Sequence, residues 1–411
     1  MSYALVFGDS IYMNIAFSIF FLFGLILGQV GGISLGGGIT VYVMDIALIC
    51  LLAYMIFHLP KIPPLLFLRM PILLFGAACF VSLIANFAKF PFIEVLTSSL
   101  YAFRWVAYAA LYVAIYVLPQ RPIWWLWGLY STGVSVAALG LVQYFWYPYL
   151  RNLSYLGWDP HLYRVFSTFL DPNFAAIFFV LTLWLGTYLW FQNKQRWIVG
   201  LGEIVVFIAL LLTYSRSGYL ALVFGIVAMA VFSKHAKQAI VIILLFIGML
   251  FLLPHKDGEG VKLFRTVSTV ARVGNWQRGF TLIKEAPLLG HGFNTLRYVQ
   301  RKYGWVDDAQ IVSHAGAGLD NSMEYVWATT GVLGFGIYLW LLARIFRMGK
   351  SVLQSVKFRQ LGIVIITTMV SVVIHSQFSN SLFFPQIAMW IWILVAALEK
   401  SVSFGKSRVS L

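Results

Sequence analysis

Charge is scarce in this chain of 411 residues: Asp, Glu, Lys and Arg make up 10% of it, against 61% hydrophobic residues. Soluble domains carry about 25% charged residues, so a water-soluble enzyme and a nucleic-acid-binding module are both excluded. Cysteine is nearly absent. Cys50 and Cys79 both lie in apolar tracts, which rules out a disulfide framework and a thiolate metal site. There is no Walker motif, dinucleotide fingerprint, Gly-x-Ser-x-Gly elbow or His-Glu-x-x-His, so neither a bound metal nor a cofactor is expected. Internal repeats and low-complexity tracts are missing too, and the apolar tracts are too long for the strands of a β-barrel.

What is present is a series of long apolar runs. At about 20 apolar residues per spanning helix, they predict an all-α integral membrane protein of about twelve transmembrane helices. The runs lie near 11–30, 39–59, 71–88, 98–118, 122–147, 173–191, 197–212, 218–232, 239–253, 321–346, 361–378 and 384–398. Very short turns join the seventh run to the eighth and the eleventh to the twelfth, so ten or eleven spans stay open. The first run has no basic segment before it and no small-residue cleavage site after it, and it reads as a spanning helix rather than a signal peptide.

Basic residues outnumber acidic ones 29 to 14. With twelve spans and a cytoplasmic N-terminus, fifteen of the 29 fall on inside segments, among them Arg69, Arg121, Lys194, Arg196, Lys350, Arg359 and Lys400. The short outside loops hold only Lys89, Arg151, Arg164 and Arg216, so the positive-inside rule places both termini in the cytoplasm. The chain then divides into spanning helices one to nine over 1–253, an outer loop or cap over 254–320, and helices ten to twelve with a cytoplasmic tail over 321–411. A loop that long is commonly functional. Within it Val273, Trp276, Phe280 and Ile283 recur at helical spacing before Pro287, predicting an amphipathic helix. Gly290-His-Gly-Phe-Asn294 then reads as a turn, and a second short helix runs through Tyr303.

Ionisable residues at or near membrane depth carry most of the functional information. At the outer side these are Asp45, Arg104, Asp171, Arg216, Asp320 and Glu324. Arg104 reads as a snorkelling arginine, a structural partner of Asp45, or a substrate contact. Asp171 and Asn173 are plausible helix caps, which leaves Arg164 before them unexplained. Thr213-Tyr-Ser-Arg216-Ser-Gly218 holds an arginine among hydroxyls with almost no loop around it, a setting suited to bidentate phosphate binding. Arg272 falls in the amphipathic helix, and Asp320-Asn321 opens helix ten, where Asp320 reads either as an N-cap or as a hydrogen-bond acceptor for substrate. His291 and His314 lack metal-ligand spacing.

In their order, four features resemble the superfamily of O-antigen ligases and Wzy-type polysaccharide polymerases. They are Arg164 to Asn173 before helix six, Thr-Tyr-Ser-Arg216-Ser-Gly between helices seven and eight, Arg272 through Pro287-Leu-Leu-Gly290-His-Gly292, and Asp320-Asn321 with Thr330-Gly331. The resemblance implies a GT-C-like fold in the bacterial inner membrane with its site at the periplasmic face. It implies metal-independent transfer of a glycan from undecaprenyl diphosphate to an acceptor hydroxyl, on lipid A core for a ligase or on a growing lipid-linked polysaccharide for a polymerase. Partners would be that donor, the glycan or lipid acceptor, membrane lipids and, for a polymerase, a chain-length regulator.

Carried over residue by residue, Arg216 and Arg272 resemble the family's diphosphate-binding arginines, and Asp320 joins them as a catalytic candidate. Arg164, Asn173, Asn321, Arg104 and His314 are candidates for substrate binding. Ligases of the family show a His before the Asn of helix ten, where this chain has Asp320, so a polymerase is as compatible as a ligase. His314 lies too far upstream to replace that histidine on sequence grounds. The alternative is a glycan transporter or flippase. Such folds commonly show comparable halves with binding groups near the midplane, whereas these polar candidates gather at one face.

Overall fold

The structure is a computed structural model and describes residues 2–36, 39–58, 66–151, 160–192, 196–254, 259–262, 267–307 and 318–407. Among the described residues there are fourteen α-helices. The first nine are α1 (Ser2–Leu27), α2 (Val43–His58), α3 (Arg69–Ala85), α4 (Phe92–Val117), α5 (Pro122–Trp146), α6 (Pro172–Gln192), α7 (Arg196–Leu211), α8 (Arg216–Ser233) and α9 (Ala236–Phe251). The long loop contributes α10 (Val267–Glu285) and α11 (Leu296–Lys302), and α12 (Ser322–Ser351), α13 (Arg359–His375) and α14 (Pro385–Ser407) close the chain.

Each of the twelve apolar runs forms its own helix, and the short turns at 212–215 and 376–384 do separate their neighbours. Six helices, α4, α5, α6, α8, α12 and α14, are long and apolar enough to cross a membrane, and the Tyr12–Leu27 part of α1 and α2, α3, α9 and α13 are shorter apolar helical stretches. The protein is a multi-pass α-helical membrane protein. Its centre is α14, where every residue from Ile387 to Leu398 is buried against neighbours that include α4 and α5. A helix apolar on all sides is expected to be enclosed on all sides.

Three local readings are corrected. Residues 39–42 are not helical: β1 (Gly32–Gly36) pairs antiparallel with β2 (Ile39–Tyr42), Ile33 opposite Val41. The alternation Ile39-Thr-Val-Tyr beside a glycine-rich segment favours a hairpin, and Asp45 starts α2 by accepting from the Tyr42 N–H at 3.0 Å. Helix α4 begins at Phe92, not near 98, which brings Glu94 into its first turn to meet Arg301 of α11 at 2.6 Å. In α10 the helix is where the sequence places it, but its phase differs. Gly279, Leu282 and Ile283 are buried, while Val273 and Phe280 are 46% and 54% exposed.

Helix α12 is broken at Gly331, which has φ +67° and ψ −173°. The loop 287–292 fills the break with its backbone. His291 N–H donates to Ala328 O at 2.9 Å, Gly292 N–H to Thr329 O at 3.0 Å, and Val332 N–H returns to Pro287 O at 2.8 Å. From α3, Ser82 Oγ donates within 2.6 Å of both the Leu289 and Thr329 carbonyls, and Asn86 Nδ2 donates to the Gly290 carbonyl at 3.0 Å. Backbone groups freed at membrane depth need such partners, since lipid offers none. This clasp fixes where α10 enters, and so where Arg272 sits.

Candidate active site

The turn between α7 and α8 is built from its own hydroxyls. Thr213 Oγ1 donates to Leu210 O at 2.6 Å and accepts from the Ser215 N–H at 3.3 Å. Ser215 is the N-cap of α8, accepting from the Gly218 N–H at 3.3 Å. Gly218 lets α8 close on α6, because a Cβ there would lie 2.5 Å from that of Ala176. Arg216 is thereby the first residue of α8, half-buried, and its guanidinium donates to Thr269 Oγ1 of α10 at 3.2 Å.

Arg164 lies beneath this turn. It is 4% exposed, and its Nε donates to the Thr213 carbonyl at 2.7 Å. Through this bond it is a strut under the turn that carries Arg216.

Helix α10 brings the second arginine. Trp276 Nε1 donates to the Gln377 carbonyl at 3.3 Å, and the Arg272 guanidinium lies over the Phe378 ring, 5.6 Å from its centre. Burial pulls Arg272 below the usual guanidinium range. The charge of Asp320 opposes that, Arg216 adds to it, and Asp171 opposes it. Asp320, Arg216 and Asp171 thus each act electrostatically on Arg272, although the four residues come from four segments of the chain. The guanidinium stays protonated even so.

Asp171 caps α6: its Oδ1 accepts from the N–H groups of Asn173 at 2.6 Å and Phe174 at 3.3 Å. Asn173 Oδ1 accepts from Ser215 Oγ at 2.9 Å and ties the start of α6 to the start of α8. At α12 the cap is Asn321, not Asp320. Asn321 Oδ1 accepts from Met323 N–H at 2.8 Å and Glu324 N–H at 3.4 Å, and its Nδ2 donates to Gln377 Oε1 at 3.3 Å. Asp320 stands one residue outside the helix with its side chain exposed, its N–H donating to Asn275 Oδ1 of α10 at 3.0 Å. The N-cap reading of Asp320 is thus replaced: capping belongs to Asn321, and the Asp320 carboxylate is not used for it.

Three helix N-termini, those of α6, α8 and α12, gather with two guanidinium groups around this region. N-terminal N–H groups and arginine forks both favour anions, most of all anions with several oxygens. Glu324 forms the wall one turn deeper. It is 8% exposed, its Oε2 has no hydrogen-bond partner among the described residues, and it occupies the space left by Gly279 of α10, where a Cβ would lie 2.4 Å away.

Residues 201–339 match the O-antigen ligase family. This span, about a third of the chain, holds Arg216, Arg272, Asp320, Asn321 and the Gly331 break, and it supports the resemblance to the O-antigen ligase and Wzy superfamily. No curated protein matches the chain. Arg164, Asn173 and Arg104 lie outside the O-antigen ligase match.

Arg104 is brought to a different place. It pairs with Asp45 at 2.7 Å and donates to the Thr40 carbonyl at 2.5 Å, while Tyr108 donates to the other Asp45 oxygen at 2.7 Å. Of the alternatives for Arg104, the structural pair is the one observed. His314 lies outside the described residues. Sequence reasoning took Ser217 only as one of the hydroxyls around Arg216, and it missed His375 and Gln377. The signal was the polar run Ser376-Gln-Phe-Ser-Asn-Ser381, which reads only as a short turn when helices are being counted.

Proposed function

We propose that this protein is a glycan transferase of the O-antigen ligase and polymerase type. It takes a glycan from undecaprenyl diphosphate and passes it to an acceptor hydroxyl at the periplasmic face of the bacterial inner membrane. The observation that carries the reading is that α10 joins three distant segments at Arg272: Arg216, 56 positions away, donates to Thr269 Oγ1 at 3.2 Å and the Asp320 N–H donates to Asn275 Oδ1 at 3.0 Å, one on each side of Arg272. The topology proposed with it is twelve crossings with both termini cytoplasmic, supported by the fifteen basic residues on inside segments.

In this reaction the acceptor oxygen bonds to the anomeric carbon as the bond from that carbon to the diphosphate oxygen breaks. Negative charge gathers on the departing diphosphate, and stabilising that charge with groups already in place is the strongest help a protein can give the step. Arg216 and Arg272 supply two planar forks there, with the N–H groups of α6 and α8 behind them. Asp320 accepts a hydrogen bond from the acceptor hydroxyl, orients it and takes its proton as the new bond forms. Capping is left to Asn321, and a carboxylate at this place has the acceptor chemistry the role needs.

The test is reconstitution of the purified protein with a lipid-linked glycan donor and candidate acceptors. Appearance of a glycan joined to lipid A core or to a second lipid-linked chain, with release of undecaprenyl diphosphate, supports the reading and separates ligase from polymerase. Movement of intact donor across the bilayer without bond cleavage would instead identify a transporter.

A further inference from the structure

Ser215 and Ser217 bracket Arg216, and each anchors the turn to a different helix. Ser215 Oγ donates to Asn173 Oδ1 of α6 at 2.9 Å, and Ser217 Oγ lies 3.1 Å from Nε2 of His375, the last residue of α13. The other ring nitrogen, Nδ1, is 2.5 Å from Ser381 Oγ, and Ser381 donates in turn to the Ser379 carbonyl at 3.1 Å. His375, Ser215 and Ser381 are fully buried and Ser217 is 1% exposed.

Ser217 Oγ also lies 3.2 Å from Ser215 Oγ, and the His375 ring bonds the backbone of Asn173 as well, so the serines, the imidazole and the start of α6 form one buried network around the turn that carries Arg216. We propose that His375 is a positioning residue: it holds Ser217, and through Ser217 it aims Arg216 at the donor diphosphate. The proposal rests on the reading of Arg216 given above. Packing alone does not require this chemistry at the end of α13, because burying two ring nitrogens costs stability unless both are hydrogen-bonded.

The test compares His375→Gln, His375→Asn and Ser217→Ala with Arg216→Lys, measuring turnover and donor affinity in the reconstituted protein. A Gln side chain reaches the Nε2 position and can meet Ser217, whereas Asn reaches only toward Ser381. Ser217→Ala and His375→Asn are expected to lower turnover roughly 10- to 100-fold, the scale set by about 1 Å of misplacement, and His375→Gln to restore most of it. Ser217→Ala takes the hydroxyl partner from His375 Nε2 and should lower the unfolding midpoint modestly, so turnover is read well below that midpoint; Ser217→Thr, which keeps the hydroxyl, should hold near-parental turnover and stays decisive if a His375 variant fails to fold. Parental turnover in Ser217→Ala, or a Gln variant no better than Asn, overturns the positioning role while inactivity of Arg216→Lys keeps the reading of Arg216 intact. Parental turnover in Arg216→Lys would remove that reading and this proposal together.

Discussion

The Gly292 N–H donates to the Thr329 carbonyl at 3.0 Å inside the break that Gly331 makes in α12. Both strands of this clasp need glycine. A Cβ at Gly331 would lie 2.1 Å from the Leu288 carbonyl oxygen, and one at Gly290, also at φ +67°, would lie 2.3 Å from the Thr329 carbonyl carbon. Gly331→Ala should destabilise the protein by about 1–3 kcal/mol from backbone strain alone, with the clash added. Thermal unfolding in detergent measures it, and an unchanged midpoint would show that the break is not held by the loop.

Capping and chemistry separate at the start of α12. Asn321→Ala should cost about 0.5–2 kcal/mol of stability as a lost N-cap, whereas Asp320→Ala leaves that cap in place and should cost less. Equal losses in the two variants would return a capping role to Asp320.

Turnover should show the reverse order. Asp320→Asn is expected to lower transfer about 100-fold, the range for a positioned acid or base, with donor affinity little changed. Glu324→Gln is the companion measurement, because Glu324 is the nearest other carboxylate on α12 and its buried Oε2 has no hydrogen-bond partner among the described residues. Near-parental turnover in Asp320→Asn with a large loss in Glu324→Gln would move the acceptor-side role one turn inward.

His291 gives a pH dependence. Burial holds its imidazole below the usual value, against small opposing contributions from the Leu282 carbonyl, which lies 2.8 Å from Nε2, and from the Glu285 charge; Lys89 and Lys302 push it lower still. A group whose folded value is depressed takes up more protons when unfolded. Its contribution is therefore present above the ordinary histidine value of about 6.5 and is lost as pH falls through the folded value. The unfolding midpoint should drop from about pH 7 to about pH 5, and His291→Gln, whose amide can still meet Leu282, should flatten the drop. An identical slope in that variant would contradict the assignment.

Apolar period made the helices legible, because a run such as 385–398 has one stable use at membrane depth and α14 takes it. Glycine chemistry was harder to read. Gly331 interrupts a periodic run without altering its hydropathy, and only its partner loop, some forty positions away, makes the break stable. For the candidate site, residue type pointed to Arg216 and Arg272, since an arginine among hydroxyls at a helix start is unusual in so apolar a chain. Their grouping depends on how α10 docks against the Gln377–Phe378 turn, a contact between segments about a hundred residues apart. Arg104 and Arg164 have the same residue type. The pairing of Arg104 with Asp45 was legible as one reading, since both lie near the outer face, but the Thr213 carbonyl that holds Arg164 is a tertiary partner of which periodicity carries no trace.

The central claim is that Arg216 and Arg272 hold one diphosphate together. A double-mutant cycle on donor affinity, with Arg216→Lys, Arg272→Lys and the pair, tests it most directly, because lysine keeps the charge and removes the planar fork. The account predicts that each single variant weakens donor binding and that the two changes are coupled by about 0.5–3 kcal/mol, as for groups sharing one partner. Additive losses, or donor binding unchanged in either single variant, would contradict it.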